Sequence, residues 1–101
     1  MYVNIIDSYR KVVAIADKEL VGQIFEKEEK QLNLKENFYK GEDGKIFSEE
    51  EVKEIIKKWA IEDATFNIVG ERAVKLALDL KIINEKGIKK IQNIPYSLIL
   101  L

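Results

Sequence analysis

Residues 47–60, FSEEEVKEIIKKWA, decide how the rest of the chain is read. Ser48 and Glu51 stand in the S-x-x-E spacing of a capping box, and Phe47 with Val52 fills the two positions of a hydrophobic staple. The spacing predicts a helix that starts at Ser48. Val52, Ile55, Ile56, Trp59 and Ala60 follow at helical intervals, so one stripe is apolar and has to bury against another element. Glu49 with Lys53 and Glu54 with Lys58 suit i, i+4 pairs on the solvent side.

Upstream, residues 2–6 and 12–16 are short β-rich runs separated by five polar residues, which predicts a hairpin. Asp17 fits the cap of a short helix from Lys18, where Leu20 with Ile24 and Val21 with Phe25 make i, i+4 pairs and Gly22 is a weak point. Leu32 and Leu34 alternate with polar neighbours, a faint strand signal. Gly41-Glu42-Asp43-Gly44 reads as a turn. The stretch resembles the later half of a calcium-binding loop, but Tyr39 and Gly41 stand where the first two carboxylates belong, which favours a plain turn before a capped helix.

Downstream, a second helix is expected from about Ile68 to Leu80, capped by Thr65 or Asn67, with Ala73, Leu76, Ala77 and Leu80 as its main stripe. Val74 and Leu78 widen the apolar arc. A turn at residues 84–87, a strand over 88–91 and a terminal run over 96–101 after Pro95 complete the chain. These elements predict one α+β domain over residues 1–101: a two-layer arrangement in which a small antiparallel or mixed sheet packs against two main helices. A chain of this size can bury about 65% of its unfolded surface, enough for a core.

The chain has neither Cys nor His. Disulfides, thiolate nucleophiles, zinc clusters and imidazole bases are therefore excluded, and with them the serine triad and the His-Glu-His zinc helix. No cofactor is implied. Any catalysis would have to use carboxylates, Lys, Tyr, Ser or Thr. The acidic clusters at residues 28–29, 49–51 and 62–63 lie in charged contexts that would not raise a carboxyl pKa, so a carboxylate-pair enzyme is disfavoured. The N-terminus has no secretory pattern and no apolar run spans a bilayer, which predicts a cytoplasmic protein without membrane contact. All but two of the 17 basic residues are Lys, and Glu is abundant, a usage that matches heat-loving organisms.

Three places could bind something. Asn67, Gly70, Glu71 and Arg72 fall near an expected helix start, where free N–H groups and a guanidinium could hold an anion. The plain alternative is that Gly70 permits close packing and Arg72 pairs with a structural carboxylate. Arg10 and Lys11 beside Tyr9, with Lys86, Lys89 and Lys90 around Gly87, would form a basic, aromatic-edged patch if the hairpin and the late strand were neighbours. Such a patch could touch RNA phosphates, although a net charge of −1 keeps nonspecific affinity low. The apolar C-terminus is expected either to join the protein's own sheet or to act as an edge strand in a homodimer.

FNIVGERAVKLALDLKII at 66–83 and the closing NIPYSLIL at 93–100 resemble an archaeal family of uncharacterised proteins catalogued as domain of unknown function 424. RKVVAIADKELVGQIF at 10–25 and the Phe38-Tyr39-x-Gly41 step are similar as well, so the likeness spans nearly the whole chain. The resemblance implies an archaeal cytosolic α/β domain with no assigned activity. It directs attention to Asn67, Gly70, Glu71, Arg72 and the Pro95–Tyr96 corner. The functional expectation is a non-enzymatic binding or adaptor protein of archaeal information processing that contacts RNA or a ribonucleoprotein through Arg10, Lys11, Lys89 and Lys90. The alternative is a small-molecule or anion-binding domain, conceivably enzymatic, around Gly70, Glu71 and Arg72.

Overall fold

A computed structural model of the chain describes residues 1–99. In chain order its elements are β1 (Tyr2–Ile6), β2 (Val12–Ala16), β3 (Ile24–Lys27), β4 (Lys30–Asn33), α1 (Glu36–Tyr39), α2 (Glu49–Ile61), β5 (Thr65–Val69), α3 (Glu71–Asp79), β6 (Lys89–Ile91) and β7 (Ile94–Ile99). Single 3-10 turns occupy Lys18–Leu20 and Glu85–Gly87. Five strands form one mixed sheet in the order β1-β2-β5-β7-β6, with β2 and β5 parallel and the other neighbours antiparallel. Strands β3 and β4 pair separately. The α+β class and the mixed sheet agree with the sequence.

The alternation of the strands sorts the core into two. Val13, Ile15, Phe66 and Ile68 face Val52 and Ile56 of α2 and Ala73, Val74, Leu76 and Ala77 of α3. Ala14, Ala16 and Val69 point the other way, toward Leu20, Leu34 and Tyr39, with Phe25, Leu32 and Phe38 packed around them. Thus α2 and α3 cover one face, while the β3–β4 hairpin and α1 cover the second face, a cover the two-layer expectation did not include. Strands buried on both faces read as continuous apolar runs, which explains VVAIA at β2.

Helix α2 starts where expected. The Glu51 N–H donates to Ser48 Oγ at 3.2 Å, and the Ser48 N–H donates to Glu51 Oε1 at 3.1 Å. Its charged side pairs Lys53 with Glu50 and Lys57 with Glu54 at i, i+3 rather than at the expected i, i+4.

Three expectations need correction. Residues 65–69 form a strand, not the first turns of a helix, because their β-branched and aromatic side chains are flanked by β2 on one side and β7 on the other. Thr65 and Asn67 are therefore not caps, and α3 begins only after Gly70. Residues 18–25 do not form a helix either. Gly22 takes a φ of 94°, and the chain turns into β3, with Gly22 donating its N–H to Leu34 O at 2.7 Å. Finally, β7 is not an edge strand, since it lies between β5 and β6. The last two residues of the predicted terminal run, 100 and 101, lie outside the described residues.

Candidate functional site

The carboxyl ends of the two parallel strands, β2 and β5, lie side by side and lead into Asp17 and Gly70. Ligands of α/β sheets commonly bind at such a place. Asp17 is 3% exposed and its N–H donates to Val69 O at 3.1 Å, continuing the ladder between β2 and β5. Its side chain does not cap the turn at Lys18. It reaches across to α3 instead, where Oδ2 accepts the Arg72 N–H at 3.0 Å and Oδ1 accepts the Ala73 N–H at 2.9 Å. The free donors at the start of α3 are thus held by a carboxylate of the chain itself, and Gly70 serves the close packing that was the plain alternative to an anion site.

Gly70 makes this approach possible. Its φ of 109° is a conformation that L side chains rarely adopt, and a β-carbon there would lie 2.3 Å from Asp17 Cγ. Its N–H donates to Pro95 O at 2.8 Å, so the main chain brings Gly70 next to the Pro95–Tyr96 corner. Burial pushes the Asp17 carboxyl above its ordinary value, and the two N–H donors from Arg72 and Ala73 only partly offset this.

The other predicted members separate. The Arg72 side chain is 60% exposed and its Nη2 lies 3.4 Å from Glu49 Oε1, a surface contact between α3 and α2. Glu71 is exposed beside it. Asn67 is in mid-strand and faces the opposite side of the sheet, where the Tyr39 hydroxyl donates to its Oδ1 at 3.0 Å. The sequence marked Tyr39 only as part of the Phe38-Tyr39-x-Gly41 step and not as a partner of Asn67, since a contact across 28 residues has no local signal. Tyr96 is half-buried among the side chains of that second face.

The basic residues do not form one patch. Lys11 precedes β2 at one end of the sheet and is paired with Asp7. Lys89 is level with Tyr96, which is level with Val69 and so with Ala16, at the opposite end. Strand rise and spacing put Lys11 and Lys90 roughly 25 Å apart, at diagonal corners. The condition for a combined patch fails. Among the described residues, Lys11, Lys40, Lys45, Lys53, Lys57 and Arg72 each have a carboxylate within reach, whereas Lys81, Lys86, Lys89 and Lys90 make no ion pair, nor do Arg10, Lys18, Lys27, Lys30, Lys35, Lys58 and Lys75. Glu85 is the sole acid between Lys81 and Lys90. Of the expected patch, Lys11 is paired and Arg10 is not, while the β6 corner keeps both Lys89 and Lys90 unpaired, with Tyr96 beside Lys89 and exposed Leu98 two residues on.

The family described as "Protein of unknown function (DUF424)" matches residues 6–101. The chain belongs to this family. No curated protein matches it. A solved structure of an uncharacterized conserved protein from Methanopyrus kandleri is similar over 98% of this chain and 90% of the other, with 24% identity and a TM-score of 0.73. That likeness supports the fold of this DUF424 member. No helix among its described residues is long and apolar enough to cross a membrane.

Proposed function

We propose that this chain is a non-enzymatic binding or adaptor protein of archaeal information processing that contacts RNA or a ribonucleoprotein through its β6 corner. The observation that carries this reading is that Lys89 and Lys90 on the edge strand β6 make no ion pair among the described residues, with Lys89 level with Tyr96 of the neighbouring strand. Unpaired ammonium groups keep their full charge for a phosphate backbone, and an adjacent aromatic ring offers a surface for a base. At the far corner Lys11 is matched to Asp7, which leaves Arg10 as the single unpaired cation of that half. Catalysis has weaker support, because the deeply buried carboxylate at the strand ends, Asp17, is engaged as a helix cap. On this reading the protein works in the cytoplasm, and its lysine- and glutamate-rich composition fits a heat-adapted source.

Binding of total RNA measured across salt concentrations tests the proposal. Each lysine on a single-stranded phosphate should contribute about 0.7 to the slope of log affinity against log salt. Lys86→Glu, Lys89→Glu and Lys90→Glu together should abolish the salt-sensitive binding, while Arg10→Glu should leave most of it. Absence of salt-sensitive binding in the unaltered chain rejects the proposal.

A further inference from the structure

The two edges of the five-stranded sheet are unlike. Strand β6 is three residues long and carries Lys89 and Lys90, a short charged edge of the kind that discourages further pairing. Strand β1 is only partly closed. The Phe47 N–H donates to Met1 O at 2.8 Å and the Met1 amine donates to Phe47 O at 3.1 Å, with Tyr2 bridged to Ile46. Beyond Tyr2 the outer side of β1 has no strand beside it and borders a groove of about 780 Å³ whose lining includes Asn4, Ile5, Ile6, Phe38, Gly41 and Glu42.

Alternation of the main chain identifies which groups are open. Lys11 O and the Asp17 N–H bond toward β5, so even-numbered residues of β2 bond toward β1. Their partners are Tyr2, Asn4 and Ile6. Met1, Val3 and Ile5 therefore turn their N–H and C=O outward. Met1 is matched by Phe47, and Val3 O is approached closely by Gly41, where a β-carbon would lie 3.3 Å away. Among the described residues, Ile5 is left with both groups free.

We propose that this edge pairs with the same edge of a second copy, antiparallel about a two-fold axis beside Ile5, to give one continuous ten-stranded sheet. Three features of the edge are self-complementary. Ile5 of each copy can donate to and accept from Ile5 of the other, which is the pattern of an antiparallel hydrogen-bonded pair. The same operation brings the β1–β2 loop of one copy, with fully exposed Tyr9, against the 41–46 segment of the other, where Ile46 is 47% exposed. It also brings Arg10, which has no ion pair among the described residues, toward Glu42 and Asp43, which have none either. Opposite charges thus meet twice by symmetry. Self-association moves from β7, which is interior, to β1.

Sedimentation equilibrium and light scattering of the full chain test this, with circular dichroism as a control for folding. The unaltered protein should show a concentration-dependent dimer. Ile5→Lys puts a like charge on the axis and should weaken dimerisation about tenfold or more. Ile5→Pro removes the outward donor without touching the ladder to β2 and should do the same. Arg10→Glu alters no strand and should also weaken the dimer, and adding Glu42→Lys with Asp43→Lys should restore it. A chain that is monomeric at every concentration, a dimer indifferent to all these changes, or a monomer whose edge takes up extended peptides instead overturns the proposal.

Discussion

Asp17 and Gly70 occupy one another's space: a β-carbon at 70 would stand 2.3 Å from Asp17 Cγ and 2.4 Å from its Oδ2. The end of β2 can cap α3 only because the residue at the end of β5 has no side chain. Gly70→Ala should therefore destabilise the fold by about 3 kcal/mol, combining a backbone held at positive φ with displacement of the capping carboxylate. Urea unfolding measures it. In the double variant with Asp17→Ala the clash with the carboxylate is gone and only the approach to the residue-17 β-carbon, 2.7 Å, remains, so the two losses should fall short of additivity; full additivity would show that the residues do not interact.

Removing the carboxylate separates its two roles. Asp17→Ala leaves the Arg72 and Ala73 N–H groups without their acceptor and should cost about 2–3 kcal/mol, whereas Asp17→Asn retains one acceptor oxygen and should cost about 1 kcal/mol. Both costs, taken relative to the unaltered protein, should depend on pH. Burial raises the Asp17 pKa above its ordinary value of 3.8, so the folded state holds the proton more tightly than the unfolded state does. That contribution is complete below pH 3.8 and is lost as pH rises through the folded value. The Asn variant has no such proton, so its disadvantage relative to the unaltered protein should shrink as pH rises from 3.8. A disadvantage that widens with pH would mean that the N–H donors outweigh burial.

At the start of α2 the sign is reversed. Hydrogen bonds from the Ser48 N–H and from Lys45 hold Glu51 below its ordinary value of 4.5. Its contribution is present above pH 4.5 and is lost as pH falls through the lower, folded value. Ser48→Ala should cost about 1 kcal/mol at neutral pH by removing the acceptor for the Glu51 N–H. Glu51→Gln should flatten the acid limb of the stability curve, and an unchanged limb would count against the capping box as its source.

How much of this was legible follows from where each signal resides. Helix α2 could be read because its cap, staple and stripe are all local. The β1–β2 hairpin was readable for the same reason. Residues 65–69 misled because an apolar run suits a helix as well as a strand, and the deciding fact, parallel pairing of β5 with β2, joins residues 53 apart in the chain, as Val12 with Thr65. Asp17 looked like the cap of the segment after it, and nothing local indicates that the helix it serves begins at Glu71. The β6–β7 turn, Gln92-Asn93, places both residues at positive φ without the Asn-Gly pair that usually announces such a hairpin. Lys89 and Lys90 are exposed, but which residues share their corner depends on strand order, which composition does not encode, and the expected junction with Arg10 and Lys11 failed for that reason.

The contact between Tyr39 and Asn67 ties the second face of the sheet to α1, and it yields a test at the other end of the pH scale. Burial raises the Tyr39 pKa above its ordinary value of 10.0, and the hydrogen bond to Asn67 only partly counters this. The folded state therefore favours the neutral phenol, and the protein should lose stability as pH rises from 10.0 through the folded value, since unfolding lets the phenol ionise. Tyr39→Phe keeps the ring packed against Leu34 and Val69 but removes the donor, and should cost about 1 kcal/mol at neutral pH. It should also remove the tyrosine-linked part of the alkaline loss, which thermal unfolding at several pH values would detect. If the alkaline loss persists unchanged in Tyr39→Phe, the buried phenol is not its origin, and α1 is held to the sheet by apolar packing and the Asn4 amide's bond to Phe38 O alone.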